Sequence, residues 1–415
     1  MNSIKLKNIF YQILSNRERN ILIISQIFNA LLGIVLGKLI AVYFLPEQFG
    51  SFNLQFATYT FFFSLFLNPF LQFMKTFSMN DLQLYGYSQV FKVLIILFVV
   101  CEIILFLIFR LYYKGSGYLF LVIFLTLLVN ILFNLYTDYF NIKGFLSLFS
   151  WSNISKSVAS LILLYVFYNF LNDFIEPIVL LWLVQLVGFF FGIIFFTKHY
   201  RWIFSDTSKE TFNKFWQKYV KFCWPLLILA FWAWVNSYFD RYVIEYYLQT
   251  KDVGVYNANL SLGSKVFLMI NPLFLALITP FVFNGSYEKK EKKKIIVKYA
   301  VVYTLFSLFL LIFLFFTTDY LGKILLSKLY CEGFYIIFWS ALGYFFITLA
   351  YIFETIFYAE SKTKTILISN VISAIFLITL NFILIPVLGL PGALIGLLGG
   401  ALARLFYICF IFFKF

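Results

Sequence analysis

The sequence predicts an all-α polytopic membrane protein: about 12 transmembrane helices arranged as two parallel six-helix bundles around a central cavity. Three observations lead there. Of 415 residues, 63% are hydrophobic and only 12% charged, whereas a soluble domain carries about 25% charged residues. Apolar runs of roughly 20 residues, each long enough to cross a hydrocarbon core of about 30 Å as a helix, recur along the whole length. The chain also repeats itself at half its length. Gly50-Ser51-Phe52-Asn53 is echoed by Gly254-Val255-Tyr256-Asn257 at an offset of 204, and Asn68-Pro69 by Asn271-Pro272 at 203. A membrane β-barrel is excluded, since its alternating segments of about ten residues are missing.

Apolar length, read against breaking residues, defines the elements in order. The opening segment "MNSIKLKNIFYQILSNRERN" interleaves basic and apolar residues, the pattern of a short helix lying on a membrane surface. No cleavable signal is expected, because the first apolar run is of full length and starts only near residue 21. The first half then supplies spans at 21–43, 51–74, 89–111, 118–137, 155–171 and 178–197. The longest loop, "KHYRWIFSDTSKETFNKFWQKYVKF", is basic and aromatic and reads as an amphipathic cytoplasmic linker. Spans at 223–247, 254–280, 298–316, 333–356, 364–386 and 391–413 complete the second half. The expected domains are therefore an N-terminal bundle at 1–197, the linker at 198–222 and a C-terminal bundle at 223–415.

Charge sets the orientation. Of 32 Lys and Arg, 23 fall on the side of the N-terminus, five on the other side and four inside spans, with Lys156 counted in the first group as a flank of span five. Cytoplasmic loops collect Lys and Arg, so both termini are expected in the cytoplasm. The net charge of +14 then reflects topology rather than nucleic-acid binding. The run "EKKEKKK" at 288–294 is an anchor of the same kind, with attraction to anionic head groups as a second reading. Six spans separate the two copies of the echo. Six is even, so both halves enter the membrane in the same direction, as a parallel repeat.

Little in the loops carries chemistry. Cys101, Cys223, Cys331 and Cys409 are widely spaced, with no CxxC, which argues against disulfide or metal use. The single histidine, His199, stands beside Lys198 and near Arg201 at a helix end, an interfacial position. An integral-membrane enzyme needs a sizeable outer loop for its site, and the longest here, 317–332, has about 16 residues without a carboxylate pair, a Ser/His set or a metal cluster. No catalytic residue, metal or cofactor is implied.

The spans are more informative. A charge at mid-helix costs about 2.5–3.5 kcal/mol on insertion scales, so it needs a reason. Lys38, Arg241, Lys265 and Arg404 are such cations. At the repeat offset Lys38 corresponds to Tyr242, next to Arg241, so each half offers one cation at a similar depth. Such groups suit an anionic, phosphate-bearing cargo; the competing reading is snorkelling, or pairing with buried acids. The acids Glu102, Asp240 and Glu354 either neutralise these cations or couple transport to H+ or Na+. Pro69 and Pro272, each in a helix and each after an asparagine, are candidate gate hinges. Gly392, Gly396 and Gly400 form a small-residue stripe suited to helix packing.

Three stretches carry a family resemblance. "LLGIVLGKLIAVYFLPEQFGSFNLQFATYTFFF" resembles the first helical hairpin of the Wzx-type polysaccharide and O-antigen flippases, relatives of the MATE exporters in the MOP superfamily. "PLLILAFWAWVNSYFDRYVIEYYLQTKDVGVYNANLSLGSKV" resembles their spans seven and eight, with Asp240-Arg241 and the turn Gly254–Ala258. "ETIFYAESKTKTILISNVISAIFLITLNFILIPVLGLPGALIGLL" resembles spans ten to twelve. The resemblance implies a MOP/MATE-like fold and alternating-access transport of an undecaprenyl-diphosphate-linked oligosaccharide across the bacterial cytoplasmic (inner) membrane, for O-antigen, lipopolysaccharide, capsule or a similar polymer. It implies membrane lipids and polysaccharide polymerase or assembly proteins as partners, and no nucleic acid. Twelve spans fit this branch, since lipid II flippases typically have fourteen. The alternatives are a MATE-type cation-coupled multidrug exporter and a flippase for another polyprenyl-linked glycan. Mid-span cations favour an anionic cargo over cationic drugs.

Overall fold

The computed structural model describes residues 17–76, 79–171, 174–194, 212–285 and 287–414. Among them it is all helical, with thirteen α-helices and no strand. The helices are α1 (Arg17–Tyr43), α2 (Pro46–Phe62), α3 (Asn68–Lys75), α4 (Met79–Leu111), α5 (Gly117–Ile142), α6 (Leu146–Leu171) and α7 (Pro177–Ile194) in the first half. The second half holds α8 (Phe212–Tyr247), α9 (Thr250–Val282), α10 (Lys289–Leu325), α11 (Tyr335–Ala359), α12 (Thr363–Leu388) and α13 (Leu390–Lys414). Twelve segments are long and apolar enough to cross a membrane, α2 and α3 forming one of them through a five-residue π-helix at Phe63–Leu67. The chain is a multi-pass membrane protein.

Each expected span has its helix, but several helices begin earlier than apolar length indicates. Span five starts at Leu146 rather than 155, span seven at Phe212 rather than 223, and span nine runs from Lys289 to Leu325 rather than over 298–316. The added turns are polar and amphipathic, invisible to a count of apolar residues. Glu288 and Glu291 form a capping box at the start of α10, so the basic run is the first turn of a helix rather than a loop. The N-terminal surface segment and most of the linker, with His199, lie outside the described residues.

The chain divides into two compact units, and the boundary differs from the expected 1–197, 198–222 and 223–415. Unit 1 comprises Met1–Leu39 and Thr58–Ile228, and unit 2 comprises Ile40–Ala57 and Leu229–Phe415. The end of α1 and the first part of α2 thus pack with the second half. Their hold is made of backbone. A Cβ on Gly50 would collide with the carbonyl oxygen of Thr250, and one on Gly254 with the carbonyl oxygen of Pro46. Tyr330 adds a side-chain tie, donating its hydroxyl to the Phe44 carbonyl at 3.0 Å.

At this corner the echo becomes geometry. Leu45 N–H donates to Gln48 Oε1 at 3.0 Å, and 204 residues on Gln249 N–H donates to Asp252 Oδ2 at 3.1 Å. Both are the reach-back half of a capping box, satisfying a donor that the first helical turn leaves open. Asn53 donates to the Phe49 carbonyl at 2.7 Å and Asn257 to that of Val253 at 3.0 Å. The repeated residues therefore start both helices in the same way.

The repeated prolines are less alike. Ahead of Pro69 the helix widens into the π segment Phe63–Leu67. A proline lacks the N–H and crowds the carbonyl four residues back, here Leu65, and a wider turn relieves that clash. By contrast, α9 continues as α-helix through both Pro272 and Pro280. In the last hairpin the glycine stripe is a packing surface: a Cβ on Gly392 or Gly400 would meet the backbone of α12 at Leu384 or Ser373, and one on Gly396 the side chain of Asn381.

Candidate functional site

Buried charges gather in separate clusters, each within one unit. In unit 2, α13 carries Arg404 into the space between α11 and α12. Its Nε donates to Glu354 Oε1 at 2.9 Å and Nη2 donates to Glu354 Oε2 at 3.0 Å. Nη1 donates to Asn370 Oδ1 at 3.1 Å, and the guanidinium lies over the Tyr351 ring at 4.8 Å. Ser369 Oγ donates to Glu354 Oε1 at 3.2 Å, and Asn236 of α8 donates to the Asn370 carbonyl at 3.0 Å. Arg404 is 6% exposed and Glu354 1%. A planar fork on a carboxylate is the strongest of ion pairs, and here it joins three helices. In this structure Arg404 is thus paired with an acid, as one of the two sequence readings has it.

The second cluster lies on α8 and the start of α9. Asp240 and Arg241 are neighbours in sequence, yet they do not pair through their side chains. Asp240 Oδ2 accepts from the Tyr256 hydroxyl at 2.7 Å and Oδ1 accepts from the Arg241 backbone N–H at 2.9 Å. Arg241 Nε donates to Asn257 Oδ1 at 2.5 Å, and its guanidinium lies over the Tyr238 ring at 4.3 Å. Nη1 of Arg241 is sealed from solvent and has no hydrogen-bond partner. One turn on, Glu245 Oε1 accepts from the Thr250 hydroxyl at 2.9 Å while Oε2 is sealed and without a partner. This chemistry belongs to the second half alone. At the repeat offset Asp240, Arg241 and Tyr256 correspond to Leu36, Gly37 and Phe52.

The remaining residues are dispersed. Lys265 is half-buried on α9, 15 residues from the start at Thr250, or about 22 Å. Lys38 is half-buried on α1 in unit 1, five residues before its end at Tyr43. Glu102, on α4, is 5% exposed, with both carboxylate oxygens sealed and without a hydrogen-bond partner. Pro69 is buried in unit 1, its carbonyl accepting from Cys223 Sγ at 3.4 Å. Among the described residues no group of three His, Cys, Asp or Glu is placed to hold a metal ion.

Sequence reading missed one cation. Lys156, counted as a cytoplasmic flank, lies ten residues inside α6. The polar run "SWSNISKSVAS" masked it, because such a run reads as the end of a span. Several of those groups find acceptors on the same helix or its neighbour: Ser157 Oγ donates to the Asn153 carbonyl at 3.0 Å, and Ser152 Oγ to the Gly192 carbonyl of α7 at 2.7 Å. Regular spacing of hydroxyls at 150, 152, 155, 157 and 160 was the available signal.

Comparison with known proteins places this geometry. Residues 17–285 match the family described as polysaccharide biosynthesis protein. The structure resembles the lipid II flippase MurJ in an inward closed conformation, with a TM-score of 0.70 at 16% identity over 94% of this chain and 86% of that one. It also resembles an inward-facing multidrug resistance MATE family transporter of the MOP superfamily, with a TM-score of 0.62 at 12% identity over 94% and 98% of the two chains. A mutant of the Vibrio cholerae MATE transporter VcmN gives a TM-score of 0.61 at 13% identity over 96% and 95%. At these identities the likeness is one of fold. No curated protein matches the chain by sequence.

Proposed function

We propose, because the chain belongs to the polysaccharide biosynthesis protein family, that it flips an undecaprenyl-diphosphate-linked oligosaccharide from the inner to the outer leaflet of a bacterial cytoplasmic membrane by alternating access. The observation that carries the reading is the half-buried Arg241, whose Nη1 donor is sealed and unmatched. A buried donor without an acceptor is costly, and a phosphate oxygen arriving on the cargo would supply one. Lys265 is a further candidate cation in the same unit as Arg241, and Lys38 is the candidate of unit 1. Arg404 supports the fold around it through Glu354. Glu102 is the candidate coupling group: its sealed carboxyl is held by no hydrogen bond, so access to either face would let it exchange H+.

The test is reconstitution. Proteoliposomes holding a fluorescent undecaprenyl-diphosphate oligosaccharide should lose it to an external quencher faster than empty vesicles. Arg241→Gln should slow that loss about ten-fold, the effect of one charge-assisted hydrogen bond, with the protein present at its usual level. Transport of a cationic dye with no movement of the glycan lipid would instead establish the drug-exporter reading. Orientation is tested separately. Reporter tags at 210, at 290 and after Phe415 should all report cytoplasm, and one near 325 the outside. A periplasmic signal at 290 would break the six-span parity of the two halves.

A further inference from the structure

Lys156 is held between two aromatic rings. Three successive membrane helices converge on it: α6 bears the lysine, α5 bears Phe133 and α7 bears Phe189. Its Nζ lies 3.9 Å from the centroid of the Phe189 ring and 5.1 Å from that of Phe133, and the two rings themselves touch at 5.4 Å between centroids. Gly192 permits this closeness, since a Cβ there would collide with the Phe133 ring. Lysine and cage all belong to unit 1. At 1.5 Å per residue, ten residues put Lys156 about 15 Å from the start of its helix.

The contrast with Arg404 defines the chemistry. Arg404 is neutralised by Glu354 and all three of its nitrogens donate to fixed acceptors. Lys156 has no carboxylate and no hydrogen-bond acceptor among the described residues; aromatic faces alone stabilise its charge. An aromatic face attracts an ammonium ion without taking its N–H donors and without cancelling its charge. The cage thus keeps a cation inside the membrane while leaving it competent to meet an anion. A carboxylate partner would defeat that purpose.

We propose that Lys156 in its Phe133–Phe189 cage is an anion site for a phosphate group of the travelling lipid-linked glycan, a stop on its path within unit 1. The site rests on the flippase reading above. The ligand chemistry is a phosphate or diphosphate oxygen, which a compact ammonium with three donors receives as a point charge. The hydroxyl-rich turn around it supplies polar surroundings suited to a hydrated head group.

The test is binding to the full-length protein in nanodiscs of neutral lipid. The probes are undecaprenyl diphosphate, inorganic pyrophosphate and phosphatidylglycerol, measured against wild type, Lys156→Met, Lys156→Gln and Lys156→Arg. We expect the Met and Gln variants to bind undecaprenyl diphosphate about ten-fold more weakly. Their thermal unfolding midpoint should be unchanged or raised, and Arg should retain most of the affinity. If the wild type binds and both neutral variants bind equally well, the site is overturned and the flippase reading stands. If the wild type does not bind undecaprenyl diphosphate, the functional reading falls and takes the site with it. An equal loss for phosphatidylglycerol would assign the lysine to bulk lipid and overturn its role as a cargo stop. If the Met variant fails to fold, the Gln variant, which keeps a polar head of similar reach, decides the matter.

Discussion

Removing Arg404 alone should empty the membrane of this protein. The Arg404→Ala variant leaves Glu354, 1% exposed, with no cation in a space closed by α11, α12 and α13. Breaking a buried pair by deleting one member costs about 3–5 kcal/mol, a large part of any stability margin. The loss comes from the stranded carboxylate rather than from the attraction forfeited. It follows that Glu354→Leu combined with Arg404→Met should recover most of the wild-type level, since apolar residues of similar volume replace a buried pair at little net cost. Glu354→Gln should be intermediate, its amide oxygen still accepting from the guanidinium. The measurement is protein level and unfolding midpoint in detergent for single and double variants. A well-expressed, normally folded Arg404→Ala would show that the pair is not structural, and would return Arg404 to the list of cargo cations.

The second large effect is expected at the two glycines of the corner. A Cβ at Gly50 or Gly254 meets a main-chain carbonyl of the opposing helix start, at Thr250 or Pro46. Main chain cannot swing aside as a side-chain tip can. Overpacking costs typically about 1–3 kcal/mol and more where backbone must move, so Gly254→Val should sharply reduce folded protein. Gly50→Val should do the same. The control is Gly285→Ala, where an added Cβ meets nothing, which should behave as wild type. If either corner valine folds normally, the tight approach of these helix starts is not maintained in the membrane.

How much of this was legible in the sequence depends on what each feature is made of. The twelve spans were readable because bilayer thickness imposes a length that apolar composition records directly. The repeat was readable because helix starts use a small vocabulary: Gln48 and Asp252 are different residues performing one capping task three positions into their helices. The helix start at Leu146 was not readable, because polar residues such as Ser152 and Asn153 find partners on other turns and helices. Ser152 and its acceptor Gly192 are 40 residues apart, and no local pattern announces such a bond. The partition of the chain was hidden for the same reason. That Ile40–Ala57 belongs with the second half rests on contacts such as Tyr330 to Phe44, 286 residues apart. At the buried charges the sequence named the residues but not their engagements. Arg404 and Arg241 read alike as intramembrane cations, and only tertiary structure separates one with every nitrogen occupied from one with a donor unmatched.

The glycine corner has an evolutionary consequence. Under the shift of 204, Pro46 becomes Thr250 and Gly50 becomes Gly254, so the contact of Gly254 with Pro46 maps onto that of Gly50 with Thr250. A contact that exchanges its two members under symmetry is isologous, the kind a pair of identical subunits forms about a two-fold axis. The surface therefore fits its own image. A half-length ancestor bearing one such patch already had the means to pair with a second copy of itself, and duplication within one gene would have preserved that meeting as an internal joint. Neither glycine can acquire a side chain while the opposing backbone stays where it is, so a change in one half is restrained by the other.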